Sequence, residues 1–181
     1  QLDITFDPLK NKFTYNGQNN PESMSFNYIG SNGVFRSAVR SNGSNNDFYV
    51  LDGLRHPLID EIKGEACNLQ ITNIKAPYFI YSISGKNAKV HTITITDACF
   101  AKGENYDQAT SAGFVESLSD GQIEDCHIIN ASIYGNGFAN SSTNSAKIKN
   151  CTIVNATIWD NGFVNNNGAT IEDCGIYADP A

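Results

Sequence analysis

One six-residue pattern occurs three times in the second half of the chain, and it constrains the fold more than any other feature. Its copies, residues 123–128, 148–153 and 171–176, begin 25 and then 23 residues apart. A repeat of this length is typical of solenoid proteins, in which each repeat stacks on its neighbour. The apolar residues follow Ile-x-x-Cys-x-Ile, the alternation of strands broken by bends rather than a helical stripe. The pattern therefore predicts an all-β solenoid.

Weaker copies extend the repeat towards the N-terminus. Ala66, Leu69 and Ile71 align with Val90, Ile93 and Ile95 at a spacing of 24 residues. A second apolar phrase recurs half a turn later, at 58–62, 79–83, 114–118, 138–139 and 163–164, and a third side is marked by Phe100, Ile133 and Ile158. Three strands per turn around a filled interior indicate a right-handed parallel β-helix. We expect about five coils of 23–25 residues over 48–181, continuing beyond the last residue.

Residues 1–47 do not carry the repeat. They hold turn signals, such as Tyr15-Asn16-Gly17, between short alternating apolar pieces, which is typical of strands and hairpins. A solenoid exposes its terminal core unless something covers it. We therefore expect this segment to be an N-terminal β cap.

Two kinds of repeated side chain are predicted to stack from coil to coil. Asparagine and aspartate can satisfy the backbone at a bend and bond to the next coil, so they should form ladders turned inward, with the glycosylation sequons at Asn130 and Asn155 unavailable. The repeated cysteines should form an inward column with a spacing of about 4.8 Å, as small core residues rather than metal ligands, because no CxxC pair exists. The predicted ladder residues are Asn73, Asp97, Asn130, Asn155, Cys126, Cys151 and Cys174.

Composition excludes several classes of function. The formal charge of −7 argues against a nucleic-acid partner, which needs a basic surface. No apolar run approaches the roughly 20 residues of a membrane-spanning helix, and no signal peptide is present, so we expect a mature or trimmed fragment without membrane insertion. Five cysteines are an odd number and cannot all pair. The three histidines share no column and no HExxH motif occurs, so neither a metal nor another cofactor is predicted.

The repeated columns, with the approach Val50-Leu51-Asp52-Gly53-Leu54 and the segment Leu58-Ile59-Asp60-Glu61-Ile62-Lys63-Gly64, resemble the GLUG-motif repeats over about residues 50–179. That family occurs in bacterial surface and secreted proteins, including non-catalytic regions of immunoglobulin-A-cleaving metallopeptidases, and is similar in shape to the pectate-lyase-like β-helix. The family's small glycine-containing side corresponds here to 111–115, 136–138 and 161–163, whereas the earliest coils lack this glycine. The resemblance implies an exported, adhesion-like or scaffold module, on the cell surface or extracellular.

Outward apolar residues are the candidate binding site. The alternation from inward Ile133 and Ile158 places the next residues outward on adjacent coils, and a second outward column has threonines in the earlier coils. Stacked exposed apolar residues usually meet a partner. The partner could be a glycan, a host protein or the rest of the same polypeptide. The candidate ligand-binding residues are Tyr134, Trp159, Ile129, Val154, Tyr177 and, in the longer coil, Tyr106.

We predict a non-enzymatic binding, adhesion or scaffold module, and two alternatives stay open. One is a carbohydrate-active β-helix enzyme, a polysaccharide lyase or hydrolase, which would need clustered carboxylates. The compact acidic set available is Glu104, Asp107 and Glu116, near a coil that is about nine residues longer around 102–112. The other is an interaction scaffold of a secreted effector, for which free thiols would indicate a reducing compartment.

Overall fold

In the computed structural model, every regular element of the described residues is a β-strand, and these residues contain no helix. A helix long and apolar enough to cross a membrane is accordingly absent from them. The all-β class predicted from the sequence is confirmed. The described residues are 4–7, 12–15, 18–19, 26–29, 34–36, 49–54, 57–102, 112–143 and 145–178.

The strands are short except for two that run through twelve residues each. In chain order they are β1 (Ile4–Asp7), β2 (Lys12–Tyr15), β3 (Gln18–Asn19), β4 (Phe26–Ile29), β5 (Val34–Arg36), β6 (Tyr49–Asp52), β7 (Ile59–Ile62), β8 (Glu65–Thr72), β9 (Lys75–Ala76), β10 (Ile80–Ser84), β11 (Lys89–Phe100), β12 (Val115–Ser119), β13 (Gln122–Ile133), β14 (Ala139–Ser142), β15 (Lys147–Lys149), β16 (Thr152–Ile158), β17 (Val164–Asn166), β18 (Thr170–Glu172) and β19 (Gly175–Tyr177).

All strands after β3 join two parallel sheets. The smaller sheet has the order β17-β14-β12-β10-β7-β4, and the larger one runs β18-β15-β13-β11-β8-β5. The larger sheet also includes β16 and β19, which continue the column of β13, as well as β6 beside β8 and β9 beside β11. Each strand pairs with the equivalent strand of the neighbouring repeat, an arrangement consistent with a β-solenoid.

The pairing register confirms the alignment predicted from the sequence. Val90 pairs with Ala66 on one side and with Ile123 on the other, and Ile123 continues to Ile148 and then to Ile171. Phe100, Ile133 and Ile158, predicted to mark a third side, also pair in register, and they lie on strands of the larger sheet. Side chains at equivalent repeat positions are therefore neighbours across strands.

Bends occur where asparagine and aspartate recur. In β13 the buried side chains skip one position at Asp125 and again at Asn130, and both residues have a positive φ. A left-handed residue turns the strand without ending it, and asparagine and aspartate tolerate this conformation best. The same two positions have positive φ in the neighbouring repeats, at Asn68, Thr92, Asn150 and Asp173 and at Asn73, Asp97 and Asn155.

The core is filled by matching apolar columns. Four phenylalanines follow one another along it: the ring centroids of Phe79 and Phe114 are 5.2 Å apart with tilted planes, and the stacked pairs Phe114–Phe138 and Phe138–Phe163 are 4.5 and 4.8 Å apart. Each aromatic pair adds about 0.5–1.5 kcal/mol beyond the area that it buries. This column holds the second apolar side of each repeat in register.

The N-terminal segment divides into two parts. Strands β1, β2 and β3 form a separate antiparallel sheet in which Tyr15 pairs with Gln18; the turn signal at Asn16 and Gly17 lies outside the described residues. Strands β4 and β5 also belong to the segment 1–47. They pair in parallel with β7 and β8, which extends both repeat columns into that segment.

Candidate functional site

An aromatic pair stands on the outside of the larger sheet, where β13 and β16 end. Ile133 and Ile158 pair in register with their side chains towards the core, so the alternation turns Tyr134 and Trp159 outward. The two rings stack with centroids 4.0 Å apart and planes inclined by 13°. The backbone fixes both residues, since the Tyr134 and Trp159 amides donate to carbonyls of the preceding repeat at 2.9 and 3.0 Å.

The exposed ring of this pair belongs to Trp159. Its residue is 55% exposed, whereas Tyr134 is half-buried beneath it. A flat aromatic surface held by a rigid neighbour costs little conformational entropy when a ligand stacks on it. The aromatic pair can therefore act as a stacking platform.

A second column of outward side chains lies one residue before the bend at Asn130. It runs through Thr72, Thr96, Ile129, Val154 and Tyr177, which pair in register one after another. Ile129 and Val154 are half-buried, and Tyr177 is 56% exposed. The column changes from hydroxyls to apolar side chains between Thr96 and Ile129, so its apolar part lies on the same repeats as the aromatic pair.

The Tyr177 ring lies flat on its sheet. A Cβ atom added at Gly175 would meet Tyr177 Oη at 2.5 Å, so the ring occupies the space above that glycine. The equivalent positions of the preceding repeats carry Thr152 and His127, whose side chains would fill this space. Because glycine leaves this space open, the Tyr177 ring lies over it and forms a second flat apolar surface.

An asparagine ladder separates the two faces. Asn155 Nδ2 donates to Asn130 Oδ1 at 2.7 Å, and both residues sit at the bend with positive φ. The ladder residues Asn73, Asp97, Asn130 and Asn155 are exposed. The expectation that the ladder and its two sequons turn inward is therefore wrong, because a left-handed corner residue points its side chain away from the enclosed core.

The repeated cysteines stack towards the interior. Cys126 and Cys151 are fully buried and Cys174 partly so, and none is disulfide-bonded. Cys126, Cys151 and Cys174 donate to backbone carbonyls of the preceding repeat at 3.8, 3.9 and 3.5 Å. Burial raises the pKa of Cys126 well above its usual value, which keeps the thiol protonated. These sulfurs pack as small core groups.

An acidic groove with tyrosines on the outside of the smaller sheet was missed by the sequence reasoning. Its volume is about 640 Å³, and it is lined by Asp60, Glu61, Tyr78, Tyr81 and Ser82. Tyr78 and Tyr81 have ring centroids 5.5 Å apart, and burial followed by the nearby Asp60 carboxylate raises the pKa of Tyr78. The aligned 58–62 and 79–83 phrases already placed Asp60 beside Tyr81, but only their apolar residues entered the prediction.

The same sheet carries an unpredicted amide network. Asn136, which is 2% exposed, donates to Asn140 Oδ1 at 3.2 Å and accepts from Asn161 Nδ2 at 2.9 Å. Asn140 in turn donates to Glu116 Oε1 at 3.0 Å, and Asn165 donates to Asn140 Oδ1 at 3.1 Å. Because the Asn136 and Asn140 amides both donate and accept, the network satisfies a nearly buried polar group and locks neighbouring repeats together.

Two histidines on the larger sheet have separate environments. His91 pairs in register with Cys67 and Glu124, and its Nε2 lies 3.6 Å from Glu65 Oε2. His127 contacts Asp125 at 2.8 Å through Nε2 and Thr152 at 2.6 Å through Nδ1. Among these groups, Glu65, Cys67 and His91 hold three ligand atoms within 4.8 Å of one another and could hold a metal ion.

Three predicted positions lie outside the described residues. They are Tyr106, the sixth candidate ligand-binding residue, and the acidic residues Glu104 and Asp107 of the longer coil. The remaining five candidates are grouped on two outer faces of successive repeats, on either side of the Asn130–Asn155 ladder. Comparison of the chain with protein-family models, with curated proteins and with solved structures finds no match.

Proposed function

We propose that the chain is a non-enzymatic binding module of a bacterial surface or secreted protein, and that it recognises a glycan through the Tyr134–Trp159 pair. The observation that carries this proposal is the stacking of the two rings at 4.0 Å with Trp159 55% exposed. Sugar rings present apolar C–H faces that pack on aromatic rings, and burying a large apolar side chain contributes about 1.5–3 kcal/mol.

The proposed scaffold is a right-handed parallel β-helix of about five coils over 48–181, because parallel crossovers are almost always right-handed. Strands β4 and β5 would add a partial coil before it, and the antiparallel β1–β3 sheet would serve as the cap. The resemblance to GLUG-motif repeats supports an exported or cell-surface role. A platform on rigid strands keeps its geometry without a ligand, which favours recognition of a repeating polymer.

The test is a glycan array probed with the full chain. Trp159→Ala is expected to weaken binding about ten- to a hundredfold, which corresponds to the loss of about 1.5–3 kcal/mol. Tyr81→Ala is the matched control, since Tyr81 is also about half exposed but lies on the other sheet. Binding that survives in Trp159→Ala, or that fails only in Tyr81→Ala, would contradict the assignment of this face.

Other partners of the same face give different outcomes. A host protein would be captured in place of a glycan, again with loss in Trp159→Ala. A further part of the same polypeptide would instead cover the last repeat, where the column residues Ile171 and Ile176 are 38% and 48% exposed. If the rest of the polypeptide covers this repeat, Trp159→Ala is expected to leave ligand binding unchanged. It would alter only the association of one chain with another.

A second candidate function, carbohydrate hydrolysis, is favoured by the acidic groove. Asp60 and Glu61 supply carboxylates next to the exposed Tyr81 in an open groove, and paired carboxylates are what glycoside hydrolysis requires. Turnover of a neutral oligosaccharide that is lost in Asp60→Asn and Glu61→Gln would support this function. Turnover that is unchanged in both variants would place the hydrolytic site elsewhere or exclude this groove as the site.

A further inference from the structure

Three different metal-ligand side chains meet on the outer face of the larger sheet, away from the aromatic pair. Glu65 and Cys67 are two residues apart on β8 and therefore share a face, and His91 pairs with Cys67 from β11. Cys67 Sγ lies 3.6 Å from Glu65 Oε1, and His91 Nε2 lies 3.6 Å from Glu65 Oε2. All three ligand atoms fall within 4.8 Å of one another.

These separations fit a tetrahedral ion. Zinc binds sulfur at about 2.3 Å and nitrogen or oxygen at about 2.0–2.1 Å. Two such bonds at a tetrahedral angle place their ligand atoms about 3.3–3.6 Å apart. Cys67 Sγ lies 3.6 Å from Oε1 of Glu65, and His91 Nε2 lies 3.6 Å from Oε2 of the same carboxylate. A small rotation of the imidazole or the carboxylate brings the three ligands onto one ion. The backbone need not move.

The groups around the three ligands favour the metal-binding forms. His91 Nδ1 contacts Thr92 Oγ1 at 3.0 Å, and when that nitrogen donates, Nε2 keeps a lone pair towards Glu65. Lys89, which pairs with Glu65, is engaged by Glu124 at 3.7 Å.

Thr92 is unusual in this position. Among the described residues of its column, it alone is neither asparagine nor aspartate, and it has a φ of 55°. A β-branched residue is strained in the left-handed region. The Thr92 hydroxyl contacts the His91 ring and, as a group of the second coordination sphere, fixes the orientation of that ligand.

We propose that Glu65, Cys67 and His91 bind a zinc ion, with water from the solvent as the fourth ligand. A thiolate, an imidazole and a carboxylate match the preference of zinc for sulfur, nitrogen and oxygen in one tetrahedral set. Cys67 is 3% exposed, but the side chains of His91 and Glu65 are 25% and 38% exposed, so the ion enters from their side. Binding forms the Zn–S bond and releases the thiol proton to the solvent.

The probe is Co²⁺, which takes the same ligands and reports a thiolate bond by its charge-transfer absorption. Titration of the chelator-treated full chain is expected to give one tetrahedral site per chain, and Zn²⁺ is expected to displace the Co²⁺. Cys67→Ser should abolish the charge-transfer band, and His91→Ala and Glu65→Gln should each weaken binding at least tenfold. Circular dichroism of each variant shows whether the fold is kept. Glu65→Gln is an isosteric change at the surface, so its loss of binding reports loss of the site and not of the fold.

Matched controls come from groups outside the cluster. Cys99→Ser removes a partly exposed thiol outside the cluster, and His127→Ala removes a second outward histidine of the sheet; both should leave the titration unchanged. Thr92→Gly keeps the left-handed backbone but removes the hydroxyl, and it should weaken affinity about 10- to 100-fold, with recovery in Thr92→Ser. No stoichiometric Co²⁺ binding, or a band that persists in folded Cys67→Ser, would overturn the proposal. Glycan binding through Trp159 is independent of every one of these results.

Discussion

Gly137 offers a sharp test of how closely neighbouring repeats approach. A Cβ atom added there would overlap the carbonyl oxygen of Gly162 in the next repeat, and it would lie 2.8 Å from Ile153 Cδ1. The first obstacle is backbone, which cannot rotate away as a side chain does. The strand ladder also holds the repeats at a spacing of about 4.8 Å. Gly137→Ala therefore has to push two repeats apart.

The expected cost lies at the upper end of the range for overpacking, about 3 kcal/mol. For a chain of this length that corresponds to a fall in Tm of about 6–12 °C. Urea unfolding followed by far-UV circular dichroism measures the same loss as a lower midpoint at unchanged slope.

Two other glycines serve as controls for this substitution. A Cβ at Gly162 would meet only the flexible end of Ile176, at 3.0 Å, so Gly162→Ala should cost less than about 1 kcal/mol. Gly53 has a φ of 81° with nothing within 4 Å, so Gly53→Ala should cost about 1–2 kcal/mol through backbone strain alone. If Gly137→Ala is as stable as the parent chain, or if Gly162→Ala is equally damaging, the close stacking of these glycines is refuted.

Three further predictions concern the columns. Asn155→Ala should cost about 2 kcal/mol, since it loses a 2.7 Å hydrogen bond and a favourable left-handed residue, whereas Asn155→Gly should lose only the hydrogen-bond part; equal urea midpoints would contradict this division. Phe138→Ala should cost about 3–5 kcal/mol, and Phe163→Ala, half-buried at the end of the column, clearly less by the same assay. Alkylation of the native chain, read by mass spectrometry, should spare the buried Cys126. Burial also raises the pKa of Cys99, so Cys99 should react faster only as the pH increases towards that pKa. Rapid modification of Cys126 at neutral pH would argue against its burial.

The sequence was sufficient to predict the columns of the repeat. Apolar residues at Val90, Ile123, Ile148 and Ile171 recur because each must fill the same interior position, and strand pairing follows that recurrence. The outward placement of Tyr134 and Trp159 follows from the alternation next to Ile133 and Ile158, with no bend in between. Local period and burial are encoded together in such a chain.

The direction of side chains at a bend was not predictable in the same way. Alternation fails at a left-handed residue, so the inward placement assigned to Asn130 and Asn155 was wrong. The Glu65–Cys67–His91 cluster was missed for a related reason. Its members belong to two adjacent columns, whereas the histidines were compared only with one another.

The groove of Asp60 and Tyr81 was missed although the columns that form it had been aligned. Carboxylates and tyrosines on an outer face leave no periodic apolar signal, and their proximity is visible only when the polar members of paired strands are considered together. The same applies to Asn136, which is nearly buried by its amide neighbours rather than by the apolar core.

The central claim is that equivalent residues of successive repeats lie directly over one another. Locating the sulfur atoms of a crystal by their anomalous scattering tests it most directly. Cys126, Cys151 and Cys174 are expected to give three peaks in a line, with neighbours about 4.8 Å apart. Peaks that are scattered, or that lie at the surface of the molecule, would contradict the stacking and with it the outward placement of Trp159.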